Sequence, residues 1–135
     1  MIGAMAQIAA ASQAAKAHRA SGQAEAVALR DKAEQAENKA QDEEILRLQN
    51  IRRTISTQRA YWAAAGIDPS TGSPDTIASR SYETFELDQG AALINTRSQI
   101  RSYNKSADAA IRISNIKARG SLLSGAMGAA QTWNT

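Results

Sequence analysis

The residues best suited to catalytic or ligand chemistry are few and stand apart. His18 is the sole histidine, with neither a second ligand nor a nucleophile at a useful spacing, so it builds no metal site or catalytic dyad. Asp42, Glu43 and Glu44 offer carboxylates, yet adjacent acids on a charged helix form a solvated face unless burial raises a pKa. The glycines at 66 and 72 bracket a turn, but no lysine follows as a phosphate-cradling loop requires. The chain has no cysteine, which excludes disulfides, thiolate metal ligands and a cysteine nucleophile. No enzymatic activity and no cofactor is expected.

Residues suited to contact are better represented. Gly120, Ser124 and Gly128 lie four apart, with Gly125 among them, in an uncharged segment spanning 120–130. That spacing lets helices approach closely, in water or in lipid. Trp133 suits an interface between apolar and wet surroundings. Met1, Ile2, Met5 and Ile8 are expected beside this segment. A tight contact between subunits and a membrane contact both fit, although about 14 residues are too few to cross a bilayer alone. Lys16, Arg19, Lys117 and Arg119 are expected to meet at the same end without acidic partners. They suit DNA phosphates or anionic lipid heads, or form a solvated end. No aromatic residues interleave with them, so sequence-specific nucleic-acid reading is not expected.

These residues need elements to position them, and composition narrows the choice. Of 135 residues, 43% are hydrophobic, but half of those are alanine. About one residue in five is left to fill a core, too few for a thick one. Two prolines and eight glycines are too few to punctuate a many-stranded β protein. No run of 18 apolar residues forms a conventional transmembrane helix, and residues 1–15 lack the basic start and leucine-rich run of a secretory leader. The net charge of +3 is too small to identify a nucleic-acid binder by itself.

Both prolines fall in the window Gly66-Ile67-Asp68-Pro69-Ser70-Thr71-Gly72-Ser73-Pro74. Gly66 is placed to stop a helix in the left-handed conformation, with Ile67 just beyond as its apolar contact. Ser73 reads as an N-cap, with Pro74 at the first helical position and Asp75 complementing the dipole. The expectation is all-α: a long helix over 1–65, a tight turn over 66–73, and a second long helix over 74–135. Together they form an elongated antiparallel hairpin, coiled-coil-like and ordered by oligomerisation.

A reversal near residue 70 sets position i against 140 − i. Arg47, Arg52, Arg53 and Arg59 then face Glu83, Glu86 and Asp88, and the acid-rich stretch 25–44 faces Arg97, Arg101, Lys105 and Arg112. Such opposition argues for register, because a surface pair contributes under about 1 kcal/mol. The same blocks also suit pairing between neighbouring subunits. Ile45, Leu48, Ile55 and Trp62 mark an apolar seam in the first arm. Ile77, Leu87, Ile94, Ile100, Tyr103, Ile111 and Ile116 mark one in the second. Between Ala9 and Glu44 the large apolar residues are Val27 and Leu29 alone, so that stretch must pack through alanine, be ordered by a partner, or stand partly exposed. No internal repeat beyond the two arms is visible.

The run Arg52-Arg53-Thr54-Ile55-Ser56-Thr57-Gln58-Arg59-Ala60, the stop Ala63-Ala64-Ala65-Gly66-Ile67-Asp68 and the restart Gly72-Ser73-Pro74 resemble the internal virion (ejection) proteins of short-tailed bacteriophages. The alanine-rich second helix with its small-residue end, Ala118 to Ala130, resembles them too, and the likeness covers roughly residues 45–130. The chain is shorter than the better-known members. The resemblance implies a protein packaged inside the capsid near the portal, with other internal virion proteins and near the DNA. It implies release with the genome into the host envelope, to help form a conduit across the outer membrane and periplasm. The turn residues carry over as structural positions, since this component of the family has no catalytic residues. Two other readings share the two-helix plan: a structural coiled-coil adaptor of a virion or other assembly, and a small secreted helical-hairpin export substrate. The latter needs Trp-x-Gly at its turn, and here three alanines separate Trp62 from Gly66. A non-specific DNA-packing protein is disfavoured by the 13 acids.

Overall fold

The computed structural model describes residues 2–134, so Met1 lies outside the described residues. Among them there are two helices and no strand: α1, Ile2–Ala64, and α2, Gly72–Trp133. Alanine, the strongest helix former, dominates α1, and no proline occurs before residue 69 or after 74. The two helices pack against each other in opposite directions. The chain divides into two compact units, one of residues 34–100 and one of residues 1–33 with 101–135.

The unit of residues 34–100 holds the turn. Gly66 adopts φ +77°. Its N–H donates to the Ala63 carbonyl at 3.0 Å, and the Ile67 N–H donates to the Trp62 carbonyl at 2.9 Å. This pair of bonds is the Schellman stop, which satisfies carbonyls the helix end would otherwise leave open. Ile67 itself is exposed. Asp68 Oδ1 then accepts the Ser70 hydroxyl at 2.7 Å and the Ser70 N–H at 2.9 Å, closing the loop around one carboxylate. α2 begins at Gly72, with φ +67°, two residues ahead of the expected start. Ser73 therefore lies inside the helix and makes no cap bond, while Pro74 and Asp75 remain in the first turn, where a missing N–H and a negative charge are both tolerated. Pro74 is buried and Pro69 half-buried.

Ile55, 3% exposed, is the one large apolar side chain buried among the described residues. Leu48, Ile51, Trp62, Phe85 and Ile100 are half-buried around the same seam. Ile45, Ile77, Leu87, Ile94 and Ile116, expected in the seam, are exposed instead, Leu87 at 75%. The reason is periodicity. Along α2 the line Pro74, Phe85, Thr96, Ala107, Ala118, Ala129 is buried or half-buried throughout, at steps of eleven residues. Ala78, Gln89, Ile100, Ile111 follow the same step, as do Ser81, Ala92, Tyr103, Ser114, Gly125. In α1 the line His18, Leu29, Ala40, Ile51, Trp62 repeats it. Eleven residues make three turns at about 3.67 residues each, so on a straight helix the line drifts by about 20° over three turns, whereas a step of seven drifts by about as much the other way over only two. Leu87 and Ile94 stand seven apart and fall off the eleven-residue lines.

Cross-helix contacts also correct the register. Arg47 donates to Gln89 Oε1 at 3.4 Å. Gly22 lies against Ser114, and Gly125 against Ala11. In each pair the residue numbers total 136 rather than 140, because the midpoint between the end of α1 and the start of α2 is residue 68. The expected opposition of charge blocks is not realised as ion pairs. Among the described residues the one cross-helix pair is Arg30–Asp108, at 3.5 Å with both side chains more than half exposed, and it reverses the signs of its blocks. Glu43 instead pairs along its own helix with Lys39 and Arg47.

Candidate functional site

The residues singled out for contact chemistry lie in the unit of residues 1–33 and 101–135, apart from those of the turn. Its interior is built almost wholly from small side chains: Ala4, Ala15, Gly22, Ala26 and Ala33 on α1, and Ala107, Ser114, Ala118 and Ala129 on α2 are all buried. The alanine-poor alternative, a ladder of leucines, would hold the helices farther apart. Here the approach is closest where a glycine meets a small residue. A Cβ on Gly22 would collide with the Ser114 hydroxyl and Cβ, and one on Gly125 with the Ala11 Cβ. The Ser114 hydroxyl is satisfied by donating to the Ile111 carbonyl at 2.7 Å, so its burial leaves no open donor.

The structure divides the expected small-residue set. Gly125 is at the helix contact, and Gly128 approaches the Gln7 side chain, where a Cβ would lie 3.2 Å from its Oε1. Gly120 faces open space and Ser124 is exposed. Spacing alone picked the line 120–124–128, whereas the contact runs along 114–118–125–129, about a third of a turn around the helix. Gly22, which the sequence reading did not single out, makes the tightest contact on α1. Its signal was present as a glycine in the middle of an alanine-rich helix, where it costs about 1 kcal/mol unless packing needs it.

The four cations Lys16, Arg19, Lys117 and Arg119 are exposed, and none forms an ion pair among the described residues. Trp133, the last residue of α2, is 70% exposed. Ile2, Met5 and Ile8 are exposed beside the same end. His18 lines an open groove of about 340 Å³ with Ser21, Glu25, Ser114 and Lys117. No cluster of three metal-ligating side chains exists among the described residues, and none of their helices is long and apolar enough to cross a membrane. What the arrangement offers is surface: closely packed backbones within, and uncovered apolar and cationic side chains without. No family model, curated protein or solved structure matches the chain.

Proposed function

We propose that the chain is an internal virion protein of the short-tailed phage type. In this reading it is carried inside the capsid near the portal, beside other internal proteins and the DNA. It leaves with the genome, and copies of it assemble into a conduit through the host envelope. The observation that carries the reading is the small size of the internal core. Ile55 is the single large apolar side chain buried among the described residues, while Ile2, Met5, Ile113, Ile116, Leu123 and Met127 are exposed on one unit. Helices joined through alanine and glycine bury little area, so separating and rejoining them is energetically cheap, which suits passage through a tail channel. The uncovered apolar side chains then supply surface for assembly at the far side. The resemblance at the turn, Gly66 to Pro74, supplies the biological setting.

The test is mass spectrometry of purified virions before and after genome release. The protein is expected in full particles and absent from emptied ones; absence from full particles, or retention after release, overturns the proposal. Contact with the outer membrane is checked by dye leakage from liposomes, comparing the full chain with one lacking 120–135. Leakage from the full chain alone is expected, and no leakage from either removes the membrane role.

A further inference from the structure

Charge divides unevenly between the two units. Residues 1–33 with 101–135 hold nine lysines and arginines against three acids, a net charge of +6. Residues 34–100 hold seven against ten, a net charge of −3, so most acids that weigh against DNA contact fall in the other unit. Within the basic unit the charges also take sides. The Arg30–Asp108 pair marks one side of the helix seam. The groove lined by His18, Ser21, Glu25, Ser106 and Lys117 marks the other. The eleven-residue step of this fold sorts the remaining charges. Arg19 stands eleven residues from Arg30, and Arg119 eleven from Asp108. Arg112 follows Asp108 by four residues, about one turn, and Arg101 precedes Arg112 by eleven. Five arginines therefore share the Arg30 side. Lys32 and Lys117, eleven residues beyond Ser21 and Ser106, share the groove side.

We propose that this arginine face binds the phosphate backbone of double-stranded DNA without regard to sequence. The inference deepens the reading above and rests on it for where DNA is met. All five arginines are exposed, and four have no ion-pair partner among the described residues, Arg30 being held by Asp108. Lys16 and Lys105, exposed and equally unpaired, extend the face at its two rims. From Arg101 to Arg119 the face runs about 27 Å, the length of about eight base pairs. Guanidinium groups fit phosphate oxygens bidentately. The exposed uncharged side chains set among the arginines include Gln23, Asn104 and Asn115, amides that hydrogen-bond phosphate and sugar oxygens. A face built to lie on a bilayer would carry large apolar side chains there. Here Val27 and Ile116 stand at the rims instead, each eleven residues from a rim lysine. No exposed aromatic side chain lies among the arginines, so base stacking is not offered and duplex is favoured over single strand.

The test is fluorescence anisotropy of short duplexes titrated with the full chain between about 50 and 200 mM salt. Log affinity should fall against log salt with a slope of about −4 to −5, as six unpaired cations require. Two duplexes of unrelated sequence should bind within about threefold of each other. Arg112→Glu with Arg119→Glu should weaken binding about tenfold or more and reduce the slope by about 2, with helicity unchanged by circular dichroism. Lys32→Glu with Lys117→Glu makes the same change in net charge on the groove side and should cost less than about threefold. Equal losses from the two double variants overturn the proposal, because attraction then follows net charge and no face. Wild type that leaves duplex unbound at the lowest salt overturns it too. So does a chain that prefers anionic vesicles to duplex and loses the vesicles with Arg112 and Arg119, since the face is then a lipid contact. Duplex binding by a chain absent from virions supports the face and removes the ejection reading. A virion chain without affinity for duplex overturns the face alone, so the two fail separately.

Discussion

Gly22 and Ser114 show how a single atom sets the distance between these helices. A methyl group on Gly22 has no space, because the Ser114 Cβ and hydroxyl occupy it and the Ala110 carbonyl lies behind them. Gly22→Ala is therefore expected to lower stability by about 1–3 kcal/mol, the range for overpacking a closed contact. Ser114→Gly in the same chain should restore part of that loss, a coupling that a double-mutant cycle in urea would measure. Gly90 provides the opposite sign. It lies within α2, is exposed, and has nothing near its Cβ position. Gly90→Ala should raise stability by up to about 1 kcal/mol through helix propensity alone. Equal effects at the two glycines would show that the close approach at Gly22 does not exist in solution.

At the scale of elements, the turn depends on two left-handed glycines and one carboxylate. Gly66 and Gly72 both hold positive φ, so Gly66→Ala should cost about 1 kcal/mol or more in thermal unfolding. Asp68 accepts two hydrogen bonds from Ser70, its hydroxyl first and its N–H second, and these hold the carboxyl below its ordinary value of 3.8. A carboxyl depressed in the folded state stabilises at pH values above its unfolded pKa. That contribution is lost as pH falls through the folded value. Wild type should thus exceed Asp68→Ala in melting temperature near neutral pH, and the gap should close as pH drops below the ordinary carboxylate range. A gap that persists in acid would mean that the carboxylate charge plays no part in the turn.

For the molecule as a whole, stability is concentrated at few places because few large side chains are covered. Ile55→Ala removes the one large apolar side chain buried among the described residues and should cost about 2–4 kcal/mol. Leu87→Ala, at an exposed position, should change stability by no more than about 0.5 kcal/mol. Arg30→Ala should be similarly mild, since its pair with Asp108 is solvated on both sides and worth at most about 1 kcal/mol. Denaturant unfolding of the three variants separates these cases. The same arithmetic explains the assembly proposal: hydrophobic stabilisation that the intrachain seam does not collect is left on outward faces, where contact between copies can collect it.

The two helices and their junction were determined by local chemistry that sequence displays. Alanine favours helix wherever it sits, and Gly66 with Pro69, Gly72 and Pro74 interrupts it at one place, because backbone preferences act within a few residues. Which side chains meet across the seam was decided only by tertiary structure. The eleven-residue lines contain proline, phenylalanine, threonine, glutamine and alanine at equivalent positions, so no repeat of residue type announces them. A reading by large apolar residues put Leu87 and Ile94 inside, and four residues of register separated the expected charge pairs from the observed contacts. The physical reason is that alanine and glycine gain from burial mainly by letting backbones come close. That closeness is a property of two helices together, and neither helix carries it alone.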